Sequence, residues 1–202
     1  MRLLLGLGSV LGWFALGVQF YLIILNRNTS LGLTVLRYFS YFTILTNLLV
    51  ALCFTFLFVS PLSKGGKFFD RPSVLTSVAV YISVVGLIYN IVLRPIWDPR
   101  GLQMVVDELL HSIIPALYIL YWLVFVRPKR PLQWKGIVSW LLYPLIYIVV
   151  ILILGSLSGF YPYPFVNVNE IGYYQVFINT CFVCLVFLFF SLLFVGLSRI
   201  KK

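Results

Sequence analysis

The chain contains one histidine, His111, with two acids ahead of it at helical spacing: Asp107 four residues before and Glu108 three before. On a helix either carboxylate can share a face with the ring. A carboxylate holding one ring nitrogen would fix the tautomer and leave the other nitrogen as a general base. The plainer alternative is an interfacial histidine in a first helical turn near a kink, because Pro115 follows four residues on. Thr43 and Thr46 are candidate hydroxyl nucleophiles. A hydroxyl attacks a carbonyl poorly until a base takes its proton, so a Thr–His pair is the minimum apparatus. Their plain alternative is a hydroxyl bonded back to the carbonyl one turn earlier. Thr43 shares a stripe with Asn47, four residues on, while Thr46 points off it, which ranks Thr43 first for facing a common cavity. Asn47 and Asn179 are candidate donors to an oxyanion.

The elements that position these residues are read from composition. Of 202 residues, 62% are hydrophobic and 10% charged, against about 45–50% and roughly 25% in soluble chains. So little polar surface cannot cover a water-facing domain, and the same figures exclude disorder, collagen, coiled coil and a secreted disulfide scaffold. The expected class is all-α: one polytopic membrane domain over residues 1–202. Six apolar runs approach the roughly 20 residues that a bilayer core requires: 3–25, 38–59, 73–93, 108–126, 137–158 and 173–197. The first run has one charged residue ahead of it, Arg2, and no small-x-small site before Asn26, so a retained helix is expected rather than a cleaved leader.

The net charge of +10 belongs to short loops and accompanies no nucleic-acid motif. Eleven cations fall on one side: Arg2, Lys64, Lys67, Arg71, Arg127, Lys129, Arg130, Lys135, Arg199, Lys201 and Lys202. Four fall on the other, Arg27, Arg37, Arg94 and Arg100. The positive-inside rule then expects both termini in the cytoplasm. Cys181-x-x-Cys184 lacks a second cysteine pair and reads as two small helix residues rather than a metal or redox site, so no metal and no cofactor are expected.

With this sidedness, Thr43, Thr46 and Asn47 lie roughly 9–15 Å below the outer end at 1.5 Å per residue. His111, Gln19, Asn90, Gln175 and Asn179 fall at a similar level, whereas the inner half is mostly apolar. Polar groups in lipid face the bundle and find partners, so a common level implies either a cavity below the outer surface or hydrogen bonds tying helices together. Tyr161-Pro-Tyr-Pro-Phe165 on the same side reads as an aromatic anchor or as a lid over that cavity. Trp13, Trp97, Trp122, Trp134 and Trp140 mostly fit interface anchors.

Three stretches carry a resemblance: Tyr41-Phe-Thr-Ile-Leu-Thr-Asn-Leu-Leu49, His111-x-x-x-Pro115 and Gly159-Phe-Tyr-Pro-Tyr-Pro-Phe165. Together with the length and the six spans, they resemble the bacterial "Pr-six-Pr" six-pass membrane family. More remotely the chain is similar to the eukaryotic androgen-induced membrane proteins, six-pass threonine hydrolases of fatty acid esters of hydroxy fatty acids. The resemblance implies Thr43 as nucleophile and His111 as base. The spacing from the threonine to the next polar residue differs by one, so Thr46 stays open. The histidine-to-proline spacing is shorter than in the eukaryotic proteins, whose additional histidine has no counterpart here.

The resulting expectation is a multi-pass protein of the bacterial cytoplasmic membrane that hydrolyses a lipid (fatty acyl) ester. Thr43 would attack, His111 would carry the proton, Asp107 or Glu108 would orient the ring, and Asn47 or Asn179 would donate to the oxyanion. The rival is a lipid-binding, transport or structural protein without covalent chemistry. Transport is disfavoured by the lack of an inverted repeat and of paired broken helices.

Overall fold

Apolar runs long enough to cross a bilayer close their backbone hydrogen bonds internally as helices. The computed structural model describes residues 1–128 and 131–200; Lys129, Arg130, Lys201 and Lys202, counted above for sidedness, lie outside the described residues. Among the described residues the secondary structure is helical throughout. Six helical stretches are long and apolar enough to span a membrane: Arg2–Leu25, Phe42–Val59, Pro72–Ile96, Leu102–Phe125, Gly136–Ser158 and Val168–Ile200.

We number the elements α1 (Arg2–Leu25), α2 (Leu31–Ser40), α3 (Phe42–Val59), α4 (Lys64–Phe69), α5 (Pro72–Ile88), α6 (Leu102–Glu108), α7 (Ile114–Phe125), α8 (Gly136–Ser158) and α9 (Val168–Ile200). The second span is shorter than the apolar run suggested, because Tyr41 is extended (φ −80°, ψ 124°) and splits 38–59 into α2 and α3. The fourth starts at Leu102, which places Asp107 and Glu108 inside the helix rather than at its mouth. The last starts at Val168 and kinks at Gly172, whose φ of 73° suits a residue without a side chain.

Helix α5 is the hub. Every residue from Leu75 to Val85 is buried, against α3, α7 and α9. Helices α8 and α9 are peripheral and expose large apolar side chains such as Leu145, Ile146, Phe182 and Phe189, the pattern of a lipid-facing surface. Trp122 and Trp140 are not interface anchors as the sequence suggested; both are buried and donate from Nε1 to Thr76 and Ser73.

Helices α1 and α3 pack closely along their length. A Cβ on Gly12 would lie 2.9 Å from Ala51 Cβ, and Ser9 hydrogen-bonds to Thr55 at 2.7 Å beside it. Small residues four apart allow such contact where lipid supplies no hydrophobic drive between helices. Gly12→Leu should therefore destabilise the bundle by about 1–3 kcal/mol, read as a lower thermal-unfolding midpoint in detergent. Gly17→Leu, where a Cβ meets nothing within 4 Å, should leave the midpoint unchanged.

Candidate functional site

Prolines and helix breaks decide where the polar side chains go. Pro115 has no N–H to give His111, one turn earlier. The preceding turn, Leu109–Ile113, is π-helical, and Ile114 N–H bonds to Leu109 O. The carbonyls of both Leu110 and His111 are thereby left without a helical donor. Asn47 Nδ2 donates to Leu110 O at 3.0 Å, and Asn90 Nδ2 donates to His111 O at 3.3 Å. Gly86 lets α5 come this close, since a Cβ there would lie 3.2 Å from His111 O. The same register recurs on α5. A π-helical turn over Tyr89–Leu93 precedes Arg94-Pro95, with Arg94 N–H bonded to Tyr89 O. Pro144 inside α8 frees Trp140 O, which accepts from the Tyr81 hydroxyl at 2.8 Å.

The break at Tyr41 exposes the N-terminus of α3. Phe42 N–H donates to the Tyr147 hydroxyl and Thr43 N–H to the Tyr163 hydroxyl, both at 3.2 Å. Tyr147 in turn donates to Ser40 O at 2.8 Å. The Thr43 hydroxyl lies 3.3 Å from that of Tyr163. Burial pushes the Tyr163 phenol up to about 12, so it keeps a hydrogen to give. Among the described residues no hydrogen bond takes the Ile44 N–H.

Asn47 spends both amide hydrogens on Thr43 O and Leu110 O, and its Oδ1 is buried without a partner. Both partners are carbonyl acceptors, one of them the orphaned Leu110 O, and they demand the NH2 end, which explains the orientation. The expected oxyanion donor is thus occupied. Asn179 is occupied too: its Nδ2 donates to Phe165 O at 2.9 Å while its Oδ1 accepts from Gln175. Thr46 is fully buried against the Tyr143 hydroxyl at 3.4 Å, off the cavity described below.

His111 is held differently from the expectation. Its Nδ1 lies 2.9 Å from the main-chain oxygen of Asp107, an acceptor, so Nδ1 carries the hydrogen and Nε2 is the nitrogen left over. The Asp107 carboxylate stands 4.0 Å from Nδ1 and accepts from Trp97 Nε1 at 2.8 Å and Gln103 Nε2 at 3.2 Å. Glu108 does not orient the ring; it pairs with Arg94 at 2.6 Å. The imidazole packs face to face on Tyr89, with ring centroids 3.8 Å apart.

Two chambers meet at these residues. The more polar one, of about 330 Å³, has Gln19, Trp97, Gln103 and Asp107 on a wall that is otherwise largely apolar, with Ile23, Ile44 and Ile96 among its lining. An apolar one of about 90 Å³ runs between α5, α8 and α9, past Val84, Pro144, Cys184 and Phe187. Thr43, Tyr89, Leu93, His111 and Tyr163 border both. Thr43 and His111 are therefore brought to a shared wall, although no hydrogen bond joins them among the described residues. Asn90, Gln175 and Asn179 border neither chamber.

The chain matches no family model, no curated protein and no solved structure. Its chemistry therefore has to be argued from this wall.

Tyr147 and Tyr89 escaped sequence reasoning, because tyrosines near a membrane surface read as anchors, and Tyr163 was read only within its segment, as an anchor or a lid. The sequence carried no clear signal for them, since Tyr41, the extended residue whose flanking backbone groups need partners in lipid, lies unmarked inside an apolar run. Asn47→Leu should cost about 1–3 kcal/mol by orphaning Leu110 O. In a Pro115→Ala background the penalty should shrink by about 0.5 kcal/mol or more, because residue 115 then supplies an N–H. A double-mutant cycle of unfolding in detergent measures this; additive penalties would contradict the capping role.

Proposed function

We propose that this is an intramembrane hydrolase of lipid esters, with Thr43 as nucleophile and His111 as base. The observation that carries the reading is the shared wall: both residues border a polar chamber and an apolar one at once. An amphiphile with its head in the first and its chain in the second would place its ester between them. The sequence resemblance to six-pass threonine hydrolases assigns the same two residues. The excess of Lys and Arg at the opposite end of the bundle supports an outward-facing site in the cytoplasmic membrane with both termini inside.

In this mechanism Thr43 Oγ1 bonds to the acyl carbon and its proton passes to His111 Nε2. The tetrahedral oxyanion collapses, the alkoxide leaves with that proton, and a water repeats the sequence to free the acid. The oxyanion forms at the N-terminus of α3, where the Ile44 N–H has no acceptor among the described residues and the helix dipole favours negative charge. Tyr163 accepts the Thr43 N–H and can give its hydrogen to Thr43 Oγ1, turning the threonine proton toward the histidine. A second reading, amphiphile binding without covalent chemistry, is favoured by one contact: the Thr43 hydroxyl bonds to Tyr163 rather than to His111.

An alkyl fluorophosphonate separates the two. Wild type and Thr46→Ala should label, and Thr43→Ser should retain labelling. Thr43→Ala should lose it, and His111→Ala should slow it by about 10²-fold or more. Unlabelled but folded wild-type protein would leave only the binding reading, and undiminished labelling in Thr43→Ala would remove Thr43 as the nucleophile.

A further inference from the structure

The polar chamber has an electrostatic character that ester cleavage does not require. Among the described residues, Asp107 is the one carboxylate on its wall, and no Lys or Arg borders it. The four cations at this end have other partners: Arg27 the Ile24 carbonyl, Arg37 Asn28 and the Phe160 ring, Arg100 Asp98, and Arg94 Glu108, with its guanidinium also over the Tyr89 ring. Asp107 is 6% exposed. Its two hydrogen bonds come from the neutral donors Trp97 and Gln103 and occupy one site on each oxygen. A carboxylate has about four lone-pair sites, so acceptor capacity remains on both. His111 does not neutralise it directly, since the ring gives its Nδ1 hydrogen to the main-chain oxygen.

Around this carboxylate the same chamber is bordered by Tyr38, Tyr41 and Trp97, while Tyr89, also on its wall, is already stacked on His111 with the Arg94 guanidinium over its ring. Aromatic rings combined with an acid, at low local dielectric, are the surroundings that recognise ammonium groups. Trp97, half exposed at the rim, would meet an arriving head first, and Asp107 lies behind it.

We propose that the polar chamber receives an ammonium head, a primary or quaternary amine, carried on an alkyl or acyl chain that continues into the apolar chamber. This rests on the two-chamber reading above and names the head of its substrate. It sets the chain apart from hydrolases of carboxylate-headed esters, whose head would place like charge against Asp107 with no cation to receive it.

The test uses ethers, which cannot be hydrolysed, on full-length protein in maltoside micelles. The dodecyl ether of choline is compared with dodecyl 3,3-dimethylbutyl ether, its uncharged isostere, with dodecyl phosphate and with free choline. Wild type should bind the choline ether about tenfold or more tighter than the neutral ether. That preference should fall below about threefold in Asp107→Asn. Equal binding of the two ethers, or tighter binding of dodecyl phosphate, would overturn the proposal. So would displacement of the choline ether by free choline at the same concentration, since the ligand would then be a soluble amine. If Asp107→Asn fails to fold, the wild-type comparison still decides. Ammonium preference without fluorophosphonate labelling would sink the hydrolase and leave the head assignment standing.

Discussion

A backbone N–H or C=O inside a bilayer has no water to turn to, and leaving one unpaired costs several kcal/mol. The bundle contains prolines and one extended residue at membrane depth, so it must supply replacements from side chains. Asn47 and Asn90 cover the carbonyls that Pro115 releases, and Tyr81 covers the one released by Pro144. Tyr147 and Tyr163 take the amides bared at Tyr41. Five polar side chains are accounted for by that single demand.

The candidate site is what this demand leaves open. Pro115 forces the π-helical turn that carries His111, and the turn sets Nδ1 against the Asp107 carbonyl. The break at Tyr41 starts α3 one residue before Thr43, so its hydroxyl sits in the first turn with free amide character beside it. π-Helical turns inside α-helices are frequent at functional sites, because the bulge re-aims a side chain that a regular helix would direct elsewhere. Here two of them, directly after α5 and between α6 and α7, present Tyr89 and His111 as a stacked pair. The side of the pair toward α3 faces the chamber wall that Thr43 and Tyr163 complete.

Much of the architecture was legible because bilayer thickness imposes length on apolar runs. Six such runs correspond to six membrane-length helices, with ends displaced by a few residues. The displacements have causes. Tyr41 is apolar enough to disappear into a hydropathy run, and Asp107 and Glu108 look like loop residues until Trp97, Gln103 and Arg94 are seen to hold them. The shared level of polar residues was visible, but its division was not. Gln19, Thr43, Asp107 and His111 border the chamber, while Asn47 and Asn90 serve carbonyls and Gln175 and Asn179 serve each other and Phe165. Periodicity gives a residue's height and face but not its partner. A proline four residues beyond His111 did announce an acceptor in need of a donor, and the asparagines on neighbouring helices at that height were the available donors.

The most direct measurement is an experimental structure of the protein treated with a long-chain alkyl phosphonate. A phosphorus atom bonded to Thr43 Oγ1, with the chain in the cavity between α5, α8 and α9, is the predicted result. Density for the phosphonate on another residue, or in a lipid-facing groove with both chambers empty, would contradict it.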